Sequence, residues 1–311
     1  MPSSSGTRLA ILLGTFQGER FLARQLESIE RQTHGDWALW ASDDGSRDAT
    51  AAILQSYRKK WGAHRLHVAT GSARGFSANF LGLACDTGIH ADYFAFCDQD
   101  DVWDPDKTAT AISWLSSVPD HVPALYCGRT RLIDEEDREI GLSPLFERTP
   151  GFPNAIVQSI AGGNTMVFNK AARALLVEAG ADVDVQTHDW WAYILVTACG
   201  GRVSYDAVPK TGYRQHGGNL VGSNASWRGR LQRMSWMLEG RFRAMNDRNI
   251  AALQRVRHRV TPENLFVLEE FTRARDRWLL PRMVGIGRSG VYRQTPLSNR
   301  ALVLAAVLGK L

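Results

Sequence analysis

The feature that most constrains this chain is the alternation of strand-like and helix-like segments over its first 120 residues. Short runs at 8–13, 37–41, 66–69 and 93–97 predict strands, the first of them buried, and the segments between them carry apolar residues at helical spacing. Such alternation is typical of a mostly parallel sheet with helices on both faces. We therefore predict an α/β fold, in which ligands bind beyond the carboxyl ends of the strands.

Two acidic clusters follow predicted strands, at the sheet edge where ligands bind. Asp43 and Asp44 end the second strand, and the segment 98–101, Asp-Gln-Asp-Asp, ends the fourth. Crowded carboxylates repel one another unless a cation lies among them, and Mg²⁺ or Mn²⁺ prefers oxygen ligands. Mg²⁺ usually takes one or two carboxylates together with substrate phosphates, so the second cluster suits a metal that binds a diphosphate. A solvated acidic turn is the alternative for either cluster, and a calcium loop for the second.

Two further residues are candidates for chemistry. Asp189 lies beside a histidine and two tryptophans, where desolvation would raise the pKa of its carboxyl group and suit it to general-base work. A helix N-cap is the alternative role for this residue. His216 lies in a glycine-rich segment, where it is a candidate ligand for a metal or a phosphate. The motifs G-x-S-x-G and G-x-x-x-x-G-K-[ST] are absent from the sequence.

The formal net charge of +5 divides unevenly along the chain. Residues 225–311 hold 17 Lys and Arg against 6 Asp and Glu, whereas the first 224 residues hold 20 against 26. An acidic body with a basic C-terminal part predicts an anionic partner for that part. Anionic lipid headgroups fit better than nucleic acid, because aliphatic and aromatic residues interleave with the arginines and no nucleic-acid-binding motif is present. A solvated helical face is the alternative.

The same C-terminal part has helical periodicity. Apolar residues recur every three or four positions from Trp227 to Met245, and Thr261-Pro262 predicts the start of another helix. We place a boundary near residue 223, between an α/β domain at 1–222 and a basic helical extension at 223–311 that offers a surface for oligomers. No run of 18 apolar residues and no signal-peptide core is present, so we expect a cytoplasmic protein that can contact the inner face of the membrane.

The order of the motifs resembles the family-2 glycosyltransferases of GT-A fold, and among them the bacterial rhamnosyltransferase-like branch of cell-surface polysaccharide synthesis. The resemblance covers about residues 8–222. It rests on GTFQGERFL from Gly14, SDDGSRDAT from Ser42, DQDDVW from Asp98, GGNT from Gly162, HDWW from His188, and the loop 213–222. It implies an inverting transfer of a sugar, with rhamnose as a candidate, from a UDP-, dTDP- or GDP-linked donor. The acceptor would be a hydroxyl of a glycan or of a lipid-linked molecule.

The resemblance also implies roles for individual residues. The residues expected to bind the donor are Thr15, Asp43, Asp44, Asn79 and Asp98. The residues expected to bind a Mn²⁺ or Mg²⁺ ion are Asp100, as the primary ligand, together with Asp98 and His216. Asp189 would deprotonate the acceptor hydroxyl. The residues expected near the acceptor are Gly163, Asn164, His188 and Trp190. Apart from the resemblance, we expect Asp101 to be a turn residue.

The sequence departs from the family at its first motif, where Phe16 and Gln17 stand in place of the usual Tyr and Asn. The Q-x-x-R-W signature of processive synthases is not evident, which favours transfer of one or a few sugars. Two other functions stay open on the sequence alone. One is a sugar-1-phosphate nucleotidyltransferase, although residues 14–20 fit its glycine- and arginine-rich loop poorly, and the other is a non-catalytic nucleotide-sugar-binding module.

Overall fold

We analysed a computed structural model of the protein, which describes residues 8–216 and 240–311. The strands are β1 (Leu9–Thr15), β2 (Trp37–Asp43), β3 (Leu66–Thr70), β4 (Tyr93–Cys97), β5 (Val102–Trp103), β6 (Ala124–Gly128), β7 (Arg131–Ile133), β8 (Glu139–Leu142), β9 (Val167–Asn169), β10 (Arg202–Asp206) and β11 (Thr211–Arg214). The α-helices are α1 (Leu22–Glu30), α2 (Thr50–Trp61), α3 (Phe76–Cys85), α4 (Lys107–Leu115), α5 (Phe152–Ala155), α6 (Lys170–Ala179), α7 (His188–Ala198), α8 (Arg241–Leu253), α9 (Pro262–Arg275), α10 (Leu279–Ser289) and α11 (Pro296–Val307). Short 3-10 helices cover Gly163–Thr165 and Gln254–Arg259.

A seven-stranded sheet in the order β10-β6-β9-β4-β1-β2-β3 forms the centre of the molecule. Only β9 runs antiparallel to its neighbours β4 and β6, so the predicted mostly parallel sheet is confirmed. Successive side chains of β1 enter two different hydrophobic clusters: Ala10 and Leu12 face α3, α6 and α7, whereas Leu9 and Ile11 face α1 and α4. Helices therefore cover both faces of the sheet.

The register of the central strands brings the two acidic clusters to one edge. Thr15, the last residue of β1, pairs with Asp43, and Leu13 pairs with Cys97 at the end of β4. The parallel strands end side by side, so the residues that follow them share this edge. The predicted strand at 93–97 coincides with β4, and the predictions for β1 to β3 differ from the structure by one or two residues at their ends.

A second sheet, in the order β5-β11-β7-β8, was not predicted. Its strand β5 follows the segment 98–101 directly and pairs antiparallel with β11, which was assigned to a loop. Tyr213 and Arg214 are therefore strand residues that pair with β7. This pairing carries the chain back across the acidic segment and fixes the position of His216.

The helices after residue 240 pack against the α/β body. Leu253, Phe271 and Leu302 are buried in the same hydrophobic cluster as the β1 residues Ala10 and Leu12. The side chain of Thr261 accepts a hydrogen bond from the backbone N–H of Asn264, which confirms the predicted start of α9. The predicted boundary at 223 and the amphipathic stretch up to residue 239 lie outside the described residues. Within the described ranges, no helix combines the length and apolar character needed to cross a bilayer.

Candidate active site

Four carboxylates influence one another beyond the end of β4. Burial and the negative charges of Asp101, Asp100 and Asp189 raise the pKa of Asp98 well above its usual value. Asp98 thus lies within electrostatic reach of both ends of the predicted site, the acidic segment and the candidate base. Such a group favours either a bound proton or a nearby cation.

Asp100 and His216 are in direct contact, although 116 residues separate them along the chain. The Nε2 atom of His216 lies 2.8 Å from Oδ2 of Asp100, and the imidazole packs on Phe21 with ring centroids 5.1 Å apart. The structure thus brings two of the residues expected to hold a metal to one place. Both side chains are partly exposed, with 23% of the Asp100 side chain and 15% of the His216 side chain accessible.

Asp101 is a buried structural residue and not the turn residue that we expected. Its side chain is fully buried, and it accepts hydrogen bonds from the amide of Asn164 and from the backbone N–H of Arg214 at 3.2 Å. Burial and the charge of Asp100 raise the pKa of Asp101 to about 7. Asp101 therefore joins the acidic segment to the second sheet and to the 3-10 helix at Gly163–Thr165.

A buried lysine lies on the inner side of the acidic segment. The Nζ atom of Lys107 is 3.3 Å from the centroid of the Trp103 ring and has no hydrogen-bond partner among the described residues. Burial lowers the pKa of Lys107 to about 7, against the opposing effect of Asp101 and Asp98. This buried cation could not be predicted from the sequence, because a lysine near a helix start is ordinarily a surface residue.

Arg214 is a second buried cation that we missed. Its guanidinium group donates to the backbone oxygen of Asp100 at 2.8 Å and to the backbone oxygen of Asp134 at 2.9 Å, and it pairs with the carboxylate of Asp137. The group also lies 4.5 Å from the Phe21 ring centroid. Arg214 thereby fixes the main chain of Asp100 against the hairpin of β7 and β8.

On the donor side, the predicted residues form a connected turn at the ends of β1 and β2. Thr15 is buried and donates its hydroxyl hydrogen to Asp43 at 2.8 Å, and Asp43 also accepts from the backbone N–H of Ser46 at 2.9 Å. Asp44 accepts from the backbone N–H groups of Ala73 at 2.6 Å and Gly75 at 3.1 Å. Asp44 therefore ties the end of β2 to the loop that follows β3.

Asn79 plays a supporting part in the same region. It is buried, and its amide oxygen accepts from the Ser42 hydroxyl group while its amide nitrogen donates to the Ser42 backbone oxygen. Both ends of the amide are thus used to hold the end of β2. This arrangement favours a positioning role for Asn79 over the direct donor contact that we expected.

Gln99 links the two loops of the site and was missed from the sequence. Its Oε1 atom accepts from the backbone N–H of Phe16 at 2.9 Å, and its Nε2 atom donates to the backbone oxygen of Phe16 at 2.8 Å. Gly18 lies against the same amide, because a Cβ atom built there would be 2.2 Å from Oε1. The first loop is held in place while the Phe16 ring stays 56% exposed.

Asp189 lies in the first turn of α7, beside the 3-10 helix. Its Oδ2 atom accepts from the backbone N–H of Gly163 at 3.1 Å, and its Oδ1 atom accepts from the backbone N–H of Trp190 at 2.6 Å. The residue is half-buried. It therefore has a fixed orientation and remains accessible at the edge where the acidic segment ends.

The other acceptor-side residues are interior residues. His188 stacks on Phe80 with centroids 4.1 Å apart, and its two ring nitrogens have no partner among the described residues. Burial lowers the pKa of His188 to about 4, so the ring is neutral at pH 7. The indole N–H of Trp190 donates to the backbone oxygen of Ala155 at 2.7 Å. With the amide of Asn164 bound to Asp101, all three favour a positioning role over contact with an acceptor.

The acidic segment suits a divalent cation that also binds a ligand. Within residues 8–216 and 240–311, no three His, Cys, Asp or Glu side chains form a metal-binding group by themselves. Mg²⁺ and related ions commonly use one or two carboxylates and take their other ligands from water or phosphate. The raised pKa of Asp98 and the contact between Asp100 and His216 fit an ion held in that way.

Comparison with known proteins agrees with this architecture. The family model described as glycosyl transferase family 2 matches residues 10–178. A dTDP-rhamnosyl transferase, RfbG of Shigella flexneri, is 29% identical over 231 residues, which cover 71% of this chain and 78% of that protein. The match to the family model spans more than half of the chain.

Solved structures with the same fold cover almost the whole chain. The structure of S. aureus TarS residues 1–349 in complex with UDP-GlcNAc superimposes with a TM-score of 0.55 at 15% identity, and the match covers 92% of this chain and 93% of that 1–349 chain. The mannosyltransferase PcManGT from Pyrobaculum calidifontis, in complex with GDP-Man and Mn²⁺, gives a TM-score of 0.52 at 15% identity, covering 99% of this chain and 86% of that one. The chain therefore has the predicted GT-A fold with additional C-terminal helices, its similarity to a dTDP-rhamnosyl transferase supports the predicted resemblance to the rhamnosyltransferase-like branch, and it belongs to glycosyl transferase family 2.

Proposed function

We propose that this protein is an inverting glycosyltransferase that uses a divalent cation to transfer a sugar from a nucleoside-diphosphate donor to an acceptor hydroxyl. The observation that supports this most is the placement of Asp189 within electrostatic reach of Asp98, while Asp100 contacts His216. Adjacent residues of the 3-10 helix also join the candidate base to the acidic segment, since Gly163 donates to Asp189 and Asn164 donates to Asp101. The relative that transfers rhamnose from dTDP favours dTDP-rhamnose as the donor.

In the proposed reaction, each group has one task. Asp98, Asp100 and His216 would hold Mn²⁺ or Mg²⁺, which when bound neutralises charge on the diphosphate leaving group. Asp44 and the loop at Phe16 orient the nucleoside, and Gln99 keeps that loop beside the acidic segment. Asp189 accepts the proton of the attacking hydroxyl, and a single displacement inverts the anomeric carbon.

In the proposed reaction the acceptor binds on the side of the site formed by Gly163 and Asp189. The backbone N–H of Gly163 fixes Asp189 at the entrance to the 3-10 helix, and we place the acceptor hydroxyl beside this carboxylate. A glycan or a lipid-linked acceptor of cell-surface polysaccharide synthesis fits the family branch. A lipid-linked acceptor would bring the enzyme to a membrane surface, in keeping with the basic residues from 225 to 311.

The experiment measures release of nucleoside diphosphate from dTDP-rhamnose, UDP-GlcNAc and GDP-mannose in the presence of Mn²⁺. No acceptor is added, so the release comes from slow transfer of the sugar to water. We expect release from at least one donor, with dTDP-rhamnose favoured, and loss of release in EDTA. Exchange of pyrophosphate into a nucleotide sugar would instead identify a nucleotidyltransferase. Binding of all three donors without any release would identify a binding module.

A further inference from the structure

An apolar surface of the last two helices is exposed although their opposite sides are buried. Ile286 of α10 and Leu302 and Ala306 of α11 are buried against the rest of the protein. We call the opposite side the C-terminal apolar face. It consists of Trp278, Leu280, Val284, Leu304, Val307 and Leu308, each at least 42% exposed. A helix that is apolar on two sides needs a second apolar environment, such as the interfacial region of a bilayer.

The two halves of this face lie next to each other. The guanidinium group of Arg282 in α10 donates to the backbone oxygen of Ala306 at 3.0 Å and to that of Arg277 at 2.7 Å. One side chain therefore joins the last turn of α11 to the residue before Trp278. A Cβ atom at Gly309 would lie 2.9 Å from the same guanidinium, which shows how closely the chain end approaches α10.

The face is held by interactions on its inner side. Arg275 is buried and donates to the backbone oxygen of Leu311 at 2.9 Å and to the carboxylate of Asp247 at 2.6 Å. Gly285 packs so closely on α9 that a Cβ atom there would lie 2.6 Å from the Cβ atom of Ala274. The apolar side chains are thus presented on a packed pair of helices and not on a frayed chain end.

The segment that carries this face is basic, and the nearby acidic residues Glu270 and Asp276 are paired with arginines. Residues 277–311 contain no Asp or Glu. Their cationic residues are Arg277, Arg282, Arg288, Arg293, Arg300 and Lys310. A second copy of the chain seated on this face would bring like charges together, whereas a layer of anionic headgroups would complement them. Trp278, the most exposed member of the face at 66%, belongs to the residue type that favours the boundary between headgroups and acyl chains.

We propose that the C-terminal apolar face binds the surface of a bilayer that contains anionic lipid. The side chains of the face enter the boundary between headgroups and acyl chains, and the surrounding arginines contact the headgroup phosphates. This proposal rests on the proposed function in one respect, namely that membrane binding would bring the candidate active site to a lipid-linked acceptor. Membrane binding itself can be tested without catalysis.

The fold connects this face to the candidate base. Asn154 in α5 donates to the backbone oxygen of Tyr292, which follows α10, at 2.9 Å. The next residue of α5 contacts the acceptor side, because the backbone oxygen of Ala155 accepts from the indole of Trp190, the neighbour of Asp189. A bilayer-bound pair of helices would thus fix the position of the acceptor side of the site through a few packed residues.

Flotation with vesicles tests the proposal on the full chain. We expect binding to vesicles of phosphatidylglycerol and phosphatidylcholine that weakens with salt, and little binding to phosphatidylcholine alone. The triple variant Leu280→Ser/Val284→Ser/Val307→Ser should lower the partition coefficient by at least about tenfold. The matched control is Ile140→Ser, which removes an apolar side chain that is 57% exposed on β8, and it should bind like the wild type.

A second pair of variants tests the charge contribution. Arg277→Gln/Arg300→Gln changes exposed side chains and should weaken binding to the anionic vesicles by about tenfold or more, while the melting temperature stays unchanged. If the triple variant is less stable than the wild type, the arginine pair still tests whether this face binds anionic vesicles. Wild type that fails to float with anionic vesicles, or a triple variant that binds as the wild type does, would overturn the proposal. The proposal would also be overturned if the wild type formed a dimer and did not bind vesicles, while the triple variant was a monomer.

Calorimetry of dTDP with Mn²⁺ separates this result from the proposed function. The triple variant should keep the wild-type affinity for dTDP, because its substitutions lie outside the candidate site. Loss of vesicle binding with intact dTDP binding supports the membrane surface. Vesicle binding without dTDP binding would leave the membrane surface standing and count against the proposed function.

Discussion

The backbone N–H of Gly163 donates to Oδ2 of Asp189 at 3.1 Å, and this bond orients the carboxylate that we propose as the base. Asp189→Asn removes the basic oxygen and keeps the size of the side chain. We expect turnover to fall by a factor of about 10² to 10⁴, while the affinity for nucleoside diphosphate stays within about twofold of wild type. Release of diphosphate and calorimetric binding measure the two quantities. Near-normal turnover would show that the base assignment is wrong.

The contact between Gln99 and Phe16 predicts a non-additive pair of variants. Gln99→Ala removes the amide that holds the first loop, and Gly18→Ala places a methyl group where that amide lies. Each change should weaken donor binding by about tenfold, and the double variant should be no weaker than either single one. A donor titration measures all three. Gly82→Ala, a change into open space on α3, is the control. Additive losses would mean that the two residues act independently.

Asp101→Asn tests the buried link between the acidic segment and the rest of the site. The carboxylate accepts from two donors, the amide of Asn164 and the backbone N–H of Arg214. An asparagine must turn its own NH₂ group toward one of them. We expect a loss of about 1–3 kcal/mol in the free energy of unfolding, measured by urea denaturation. Asp120→Asn, an exposed change, should stay within about 0.5 kcal/mol of the wild type. Equal stability of the two variants would show that the hydrogen bonds of the Asp101 carboxylate do not stabilise the fold.

His188 predicts an acid-dependent loss of stability. Burial lowers the pKa of its imidazole from 6.5 to about 4, so between these values the unfolded chain binds more protons than the folded one. Stability therefore falls as the pH drops from 6.5 toward 4, and this contribution is fully present above 6.5. His188→Met should flatten that part of the pH dependence of the unfolding free energy. An unchanged slope would show that other groups cause it.

The central strands and the acidic clusters could be predicted from the sequence because their signals are local. The runs that form β1 and β4 are buried on both faces, so nearly every residue in them is apolar. The second sheet had no comparable signal, since β5 has two residues and β8 is mostly exposed. Strand β5 joins β7 and β8 in one sheet only because β11, which is distant from β5 in the sequence, lies between β5 and β7 in the fold.

The same distinction explains the site residues that we missed. The burial of Asp101 depends on Asn164, 63 residues later, and on Arg214, 113 residues later. The role of Gln99 depends on Phe16, 83 residues earlier. None of these pairings leaves a periodicity or a motif that a single sequence reveals. The sequence shows which residue types are present, whereas the residues that they contact are known only from the folded structure.

The central claim is that the carboxylates beyond β4 bind a nucleoside diphosphate together with a divalent cation. The most direct measurement is the calorimetric affinity for dTDP with Mn²⁺ and with EDTA, in the wild type and in Asp100→Asn. We predict that EDTA and Asp100→Asn each weaken binding by about a hundredfold, and that EDTA has little further effect on the variant. Equal affinity for dTDP with and without Mn²⁺, unchanged by Asp100→Asn, would contradict the account.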